Sequence, residues 1–176
     1  MKYLIIIFSI LLVGCYNSNS SIQGEEFFDV EGFIDSEIER LSTHKFKLTK
    51  EIYFNQKGDS ITIDSVDWDK ELSMFRINLN KPAWINSAKL EKIETDSLVD
   101  LNYSFSSKKV PFEFIRLQFD EDSNLTLLQI HYKEDNILYN SGRRMKYFIN
   151  GFVVEGYQNV KMMTPSSFSI NGKIFP

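Results

Sequence analysis

The chain has 176 residues, a single cysteine and a formal charge of −4 from 20 basic and 24 acidic side chains. That length suits one domain, and a mildly acidic surface repels phosphate backbones, which disfavours nucleic acid as a partner. With Cys15 as the sole thiol, a disulfide framework and a thiolate metal site are excluded; stability has to come from a core, for which 15 Phe, 8 Tyr and 2 Trp supply the material.

An apolar run begins at Leu4, after Lys2, and closes on Leu12-Val13-Gly14-Cys15. A charged start, an apolar stretch and a small residue before a cut are the anatomy of a secretory signal. The run is well short of the roughly 20 residues that a bilayer-spanning helix needs. Residues 1–15 resemble the signal peptide and lipobox of bacterial lipoproteins. The resemblance implies removal of residues 1–14, a diacylglyceryl group on the Cys15 thiol and acylation of the new amino terminus. Two or more acyl chains make a stable anchor. The protein is therefore expected on the membrane of the bacterial cell envelope. Tyr16, where the enterobacterial sorting rule uses Asp to retain a lipoprotein at the inner membrane, implies the outer membrane if the source is Gram-negative.

Residues 15–26 are expected to form the lipidated cysteine and a flexible tether, since Tyr16 to Glu25 offers almost nothing to bury. Such a segment holds its domain about 15–20 Å from the lipid surface. Residues 27–176 are expected to form a single globular α+β domain. A helix is predicted over 29–43, where Val30, Ile34, Ile38 and Leu41 recur at helical spacing behind Asp29 as N-cap. Alternation over 46–54 and again at Ile61 and Ile63, around Asn55-Gln56-Lys57-Gly58-Asp59, predicts a hairpin. Trp68, Leu72, Phe75 and Leu79 form a narrow apolar stripe that predicts a second helix from about Asp67, ended before Pro82. From Val99 onward the spacing predicts strands at 99–105, 112–119 and 125–132, with shorter ones near 137–139, 145–149, 152–154, 157–163 and 168–174. The expected architecture is two N-terminal helices flanking a β-hairpin, then a curved antiparallel meander of about six to eight strands with the helices on one face or end.

Chemistry-bearing patterns are sparse. His44 falls at the end of the first helix and His131 on the polar side of a strand, with no nucleophile elbow or metal-ligand spacing around either, so no catalytic residue is expected. The acidic groups 64–69 and 120–124 lack the glycine and distal glutamate of a calcium loop, and read as a helix start and a hairpin turn. No metal and no cofactor is expected. Arg143-Arg144 with Lys146 is too small a basic patch to bind nucleic acid. Trp68 lies on an apolar stripe and belongs to the core, whereas Trp84, just past Pro82, is the candidate ligand contact. Asp59-Ser60-Ile61, Asp64-Ser65-Val66 and Asp96-Ser97-Leu98 resemble an O-glycosylation sequon used on exported proteins by one large group of Gram-negative bacteria. That resemblance implies modification at Ser60, Ser65 and Ser97. Together these features point to a non-catalytic module that binds a protein or glycan at the envelope. The alternative is a carrier of lipid or lipoprotein in an apolar groove under the curved sheet, as in lipoprotein-localisation factors, and a hydrolase ranks below both. Filling of the aromatic face by its own helices, or its absence, separates the first two.

Overall fold

The computed structural model describes residues 27–55 and 57–176; the expected signal peptide, Cys15 and the tether lie outside the described residues. Asp29 starts the first helix by accepting a hydrogen bond from Gly32 N at 2.9 Å, and α1 runs over Val30–Thr43 with Val30, Ile34 and Leu41 buried. A hairpin of β1 (Lys47–Phe54) and β2 (Lys57–Ile63) follows. Then come α2 (Trp68–Leu72), a 3₁₀ turn (Ser73–Phe75) and the short α3 (Pro82–Ile85), whose Pro82 occupies the first turn, where no N–H is needed. Seven further strands complete the chain: β3 (Ala88–Thr95), β4 (Leu98–Phe105), β5 (Phe112–Phe119), β6 (Leu125–Asp135), β7 (Tyr139–Phe148), β8 (Gly151–Val160) and β9 (Ser166–Phe175). No helix among the described residues is long and apolar enough to cross a membrane.

All nine strands belong to one antiparallel sheet, in the order β2-β1-β9-β8-β7-β6-β5-β4-β3. This overturns the expected architecture of two N-terminal helices flanking a hairpin ahead of a meander of six to eight strands. The molecule is mostly sheet, and the hairpin is part of it, because β1 pairs with β9 from Lys47↔Phe175 to Phe54↔Phe168. The second helix shrinks to five residues and a 3₁₀ turn. Its apolar stripe is buried as expected, but beyond Leu72 a second period competes: Phe75, Ile77 and Leu79 are all buried, so the segment extends and alternates. The short strands expected between 137 and 163 merge into two ten-residue ones, β7 and β8. Asn140 to Arg144 and Glu155 with Gly156 pair in register and carry these strands through without a break.

The helices cover one face of this sheet. Inward positions supply Leu48, Leu117, Leu128, Ile130, Met145, Tyr147, Phe152, Val154 and Ile174, which form one core with Trp68, Leu72 and Phe75 from above. The Phe75 ring packs edge-on to Tyr147 and Phe152 at centroid distances of 5.8 and 6.1 Å. Gly172 lies opposite Phe152 on β9, and a Cβ there would come within 2.5 Å of the Phe152 ring, so the glycine makes room for it. Two polar ties cross the layer: Lys50 of β1 donates to Glu71 of α2 at 2.7 Å, and the Tyr147 hydroxyl donates to Glu37 of α1 at 2.5 Å, where Arg40 grips the same carboxylate with two hydrogen bonds, at 2.9 and 2.7 Å.

Candidate functional site

The opposite face of the sheet carries no helix, and its side chains are the polar half of each alternation. Register lines up Tyr53, Ser169, Glu155, Arg144, His131 and Phe114, one per strand from β1 through β9, β8, β7 and β6 to β5. Two residues further along the strands come Ser167, Tyr157, Gly142 and Lys133. Together with Asn55 and Glu113, all of these but Phe114 line an open cleft of about 500 Å³. Clefts of roughly 300–1,000 Å³ are the size that holds small ligands.

Each part of the cleft has a local cause. Tyr157 stands opposite Gly142, and a Cβ at Gly142 would lie 2.5 Å from the Tyr157 ring, so the ring covers the space that the glycine leaves. Tyr53 does the same over its partner Gly58. Both rings stay partly open to solvent, Tyr53 47% and Tyr157 46% exposed. His131 stacks on Phe114 with ring centroids 4.8 Å apart, and its Nδ1 is 2.9 Å from a Glu113 carboxylate oxygen. A carboxylate only accepts, so Nδ1 carries the hydrogen, and Nε2 is the ring's remaining polar atom. At the far end Asn55 and Ser167 close the wall with two hydrogen bonds of 2.9 Å, Asn55 N to Ser167 O and Ser167 N to Asn55 Oδ1.

A smaller cavity of about 250 Å³ lies on the same face beyond the Phe114–His131 stack, lined by Glu91, Ile93, Asp100, Asn102, Phe114, Arg116 and Gln129. Its floor is a fixed charge pair: Arg116 makes a bidentate contact with the buried Asp100, and Gln118 donates a further hydrogen bond at 3.1 Å. The Arg116 guanidinium holds the Asp100 carboxyl below the usual carboxylate range. Asn102 Oδ1 is buried there without a hydrogen-bond partner.

Of the residues singled out from sequence, His131, Arg143 and Arg144 line the cleft and the others lie elsewhere. Trp84 is half-buried on the helix side, edge-on to Phe112 at 5.0 Å, with the Lys81 ammonium 4.4 Å from its ring centroid. It does not line the cleft. Ser60, Ser65 and Ser97 are exposed, on the edge strand β2, in the loop before α2 and in the β3–β4 turn. His44 caps the end of α1, its Nδ1 2.8 Å from Arg40 O. Arg143, over the Tyr132 ring, and Arg144, opposite His131, both line the cleft. The acidic turn at 120–124 satisfies itself, since the Asp120 carboxylate accepts from Asn124 N at 2.8 Å and Asp122 N at 3.1 Å.

Glu113, Glu155, Tyr53 and Tyr157 escape sequence reasoning because only pairing across six strands brings them together. The one local signal is a tyrosine two strand positions from polar neighbours and opposite a glycine, which is visible only once the register is known. Chemically, the cleft offers two aromatic faces, charges of both signs and several hydroxyls. A serine nucleophile is out of reach of His131: Ser169 lies three strand spacings away, roughly 14 Å along the sheet. No protein-family model matches the chain, nor does any curated protein or solved structure.

Proposed function

We infer that this is a non-catalytic binding protein, held at the bacterial envelope by lipid on Cys15, that captures a glycan on the helix-free face of its sheet. The observation that carries it is the cleft between Tyr53 and Tyr157, where aromatic rings flank Arg144, Glu155, His131 and two serines. A sugar presents apolar C–H faces that stack on rings and hydroxyls that both donate and accept. Donors and acceptors of both signs side by side suit that ligand better than they suit an anion or an acyl chain. The carrier alternative needs an apolar groove under the helices, and Phe75, Tyr147 and Phe152 occupy that space at 0%, 2% and 1% exposure.

The test is saturation-transfer NMR of the full chain with chitotetraose, cellotetraose, maltotetraose and mannotetraose. At least one should receive saturation, and Tyr157→Ala should weaken its affinity by about tenfold or more, since one lost aromatic contact is worth on the order of 1.4 kcal/mol. Trp84→Ala should leave binding unchanged. Transfer that survives Tyr157→Ala, or none with any of the four, removes the glycan and leaves a protein partner for this face.

A further inference from the structure

The four most exposed large apolar side chains among the described residues lie at one end of the sheet. The β6–β7 turn carries Ile137 and Leu138, 90% and 67% exposed, and the β8–β9 turn carries Met162 and Met163, 99% and 67% exposed. Both turns leave the same end, because β6 and β8 run in the same direction on either side of β7. A backbone hydrogen bond from Lys161 N to Leu138 O, 2.9 Å long, ties them into one tip. Single exposed apolar residues are ordinary, but a cluster of four marks an interaction site.

We propose that Ile137, Leu138, Met162 and Met163 form a tip that inserts into the phospholipid bilayer and holds the domain upright on it. A protein partner would need a surface complementary to two protruding turns; acyl chains conform to any convex apolar shape. The chain also brings the bilayer within reach. The chain from Cys15 to Phe27 can reach at most about 40 Å. Phe27 stacks on Tyr103 of β4, and the tip lies some seven residues along and two or more strands across from that row, roughly 25–30 Å away. The charges beside the turns balance, Lys133 and Lys161 against Glu134 and Asp135, so insertion is driven by apolar burial and not by anionic headgroups. Tyr132 and Tyr139, whose hydroxyls both donate to Glu134, stand at the level where tyrosine favours the membrane interface. The proposal draws its local concentration from the lipid on Cys15 and therefore rests in part on that anchor.

An environment-sensitive dye on Met162→Cys reads insertion, since lipid occupies the Cys15 thiol, and the same dye on Asp96→Cys, in the β3–β4 turn at the opposite end, is the control. With phosphatidylcholine vesicles the dye at 162 should shift to the blue and be quenched by brominated lipid, in low and high salt alike, while the dye at 96 should not respond. Exchanging phosphatidylcholine for phosphatidylglycerol should change little. In a Cys15→Ala background, Met162→Ser with Met163→Ser should lower vesicle partition more than about tenfold at an unchanged melting temperature, because both side chains are already exposed. No response at 162, or an equal response at 96, overturns the tip. Mass spectrometry of the mature protein reads the anchor separately: an unlipidated Cys15 sinks the anchor, and the dye at 162 in a Cys15→Ala background with added vesicles then decides the tip by itself.

Discussion

Glu37 is where α1 is fastened to the sheet, and its ionisation is a condition of that fastening. Burial opposes the charged form, but hydrogen bonds from Arg40 and Tyr147 outweigh it and hold the carboxyl below its ordinary value. Burial, reinforced by Glu37, pushes the Tyr147 hydroxyl far above the usual tyrosine range, so it stays a donor at every working pH. A carboxyl with a depressed folded-state pKa contributes stability that is complete above its unfolded value of about 4.3 and is lost as pH falls through the folded value. Thermal melts of wild type should therefore show the melting temperature dropping below about pH 4. Glu37→Gln should melt lower at pH 7 and lose less between pH 5 and pH 3; parallel pH profiles for the two proteins would mean that Glu37 is not a source of the acid sensitivity.

At the scale of elements, the segment after β2 shows what patterning can and cannot carry. The stripe Trp68, Leu72, Phe75 and Leu79 reads as buried from sequence alone, and all four are. Its shape does not, because Phe75, Ile77 and Leu79 also alternate, and Asn78 and Asn80 are weak helix formers; packing against the sheet favours the extended form. The Asp29 cap and α1 are legible because cap, first-turn acid and apolar spacing agree. Hairpins such as β5–β6 are legible for the same reason of local agreement. The β1–β9 pairing and the cleft are not, since nothing near Tyr53 refers to Ser169. The short helix is fastened by its core residue: Phe75→Ala should cost about 3–5 kcal/mol if the site is as filled as its 0% exposure indicates. A chemical-denaturation difference under about 1 kcal/mol would show that the helix side can collapse or was never tightly filled.

At the scale of the whole molecule, one core and one sheet run through the described residues, which predicts a single cooperative unit. A chain ending after Pro165 loses β9 and with it both neighbours of that strand, since β1 and β8 pair only through it. Such a protein should show no cooperative melt by circular dichroism, whereas the intact chain should show a single transition. Retention of a sharp transition by the truncated chain would mean that β3 to β8 stand as an independent sheet.

The position of β9 also governs when this protein can fold. β9 is third in space, and its partner on one side, β1, was made about 120 residues earlier. Closing a loop of that length costs about 4 kcal/mol of chain entropy before any contact offsets it. The β3 to β8 meander can zip locally, each strand onto the one before, but β1 and β2 must wait with Leu48 uncovered until β9 arrives. The chain therefore has a late, non-local docking step at its N-terminal hairpin, which is the part of the molecule most exposed to a chaperone or to mispairing with another copy.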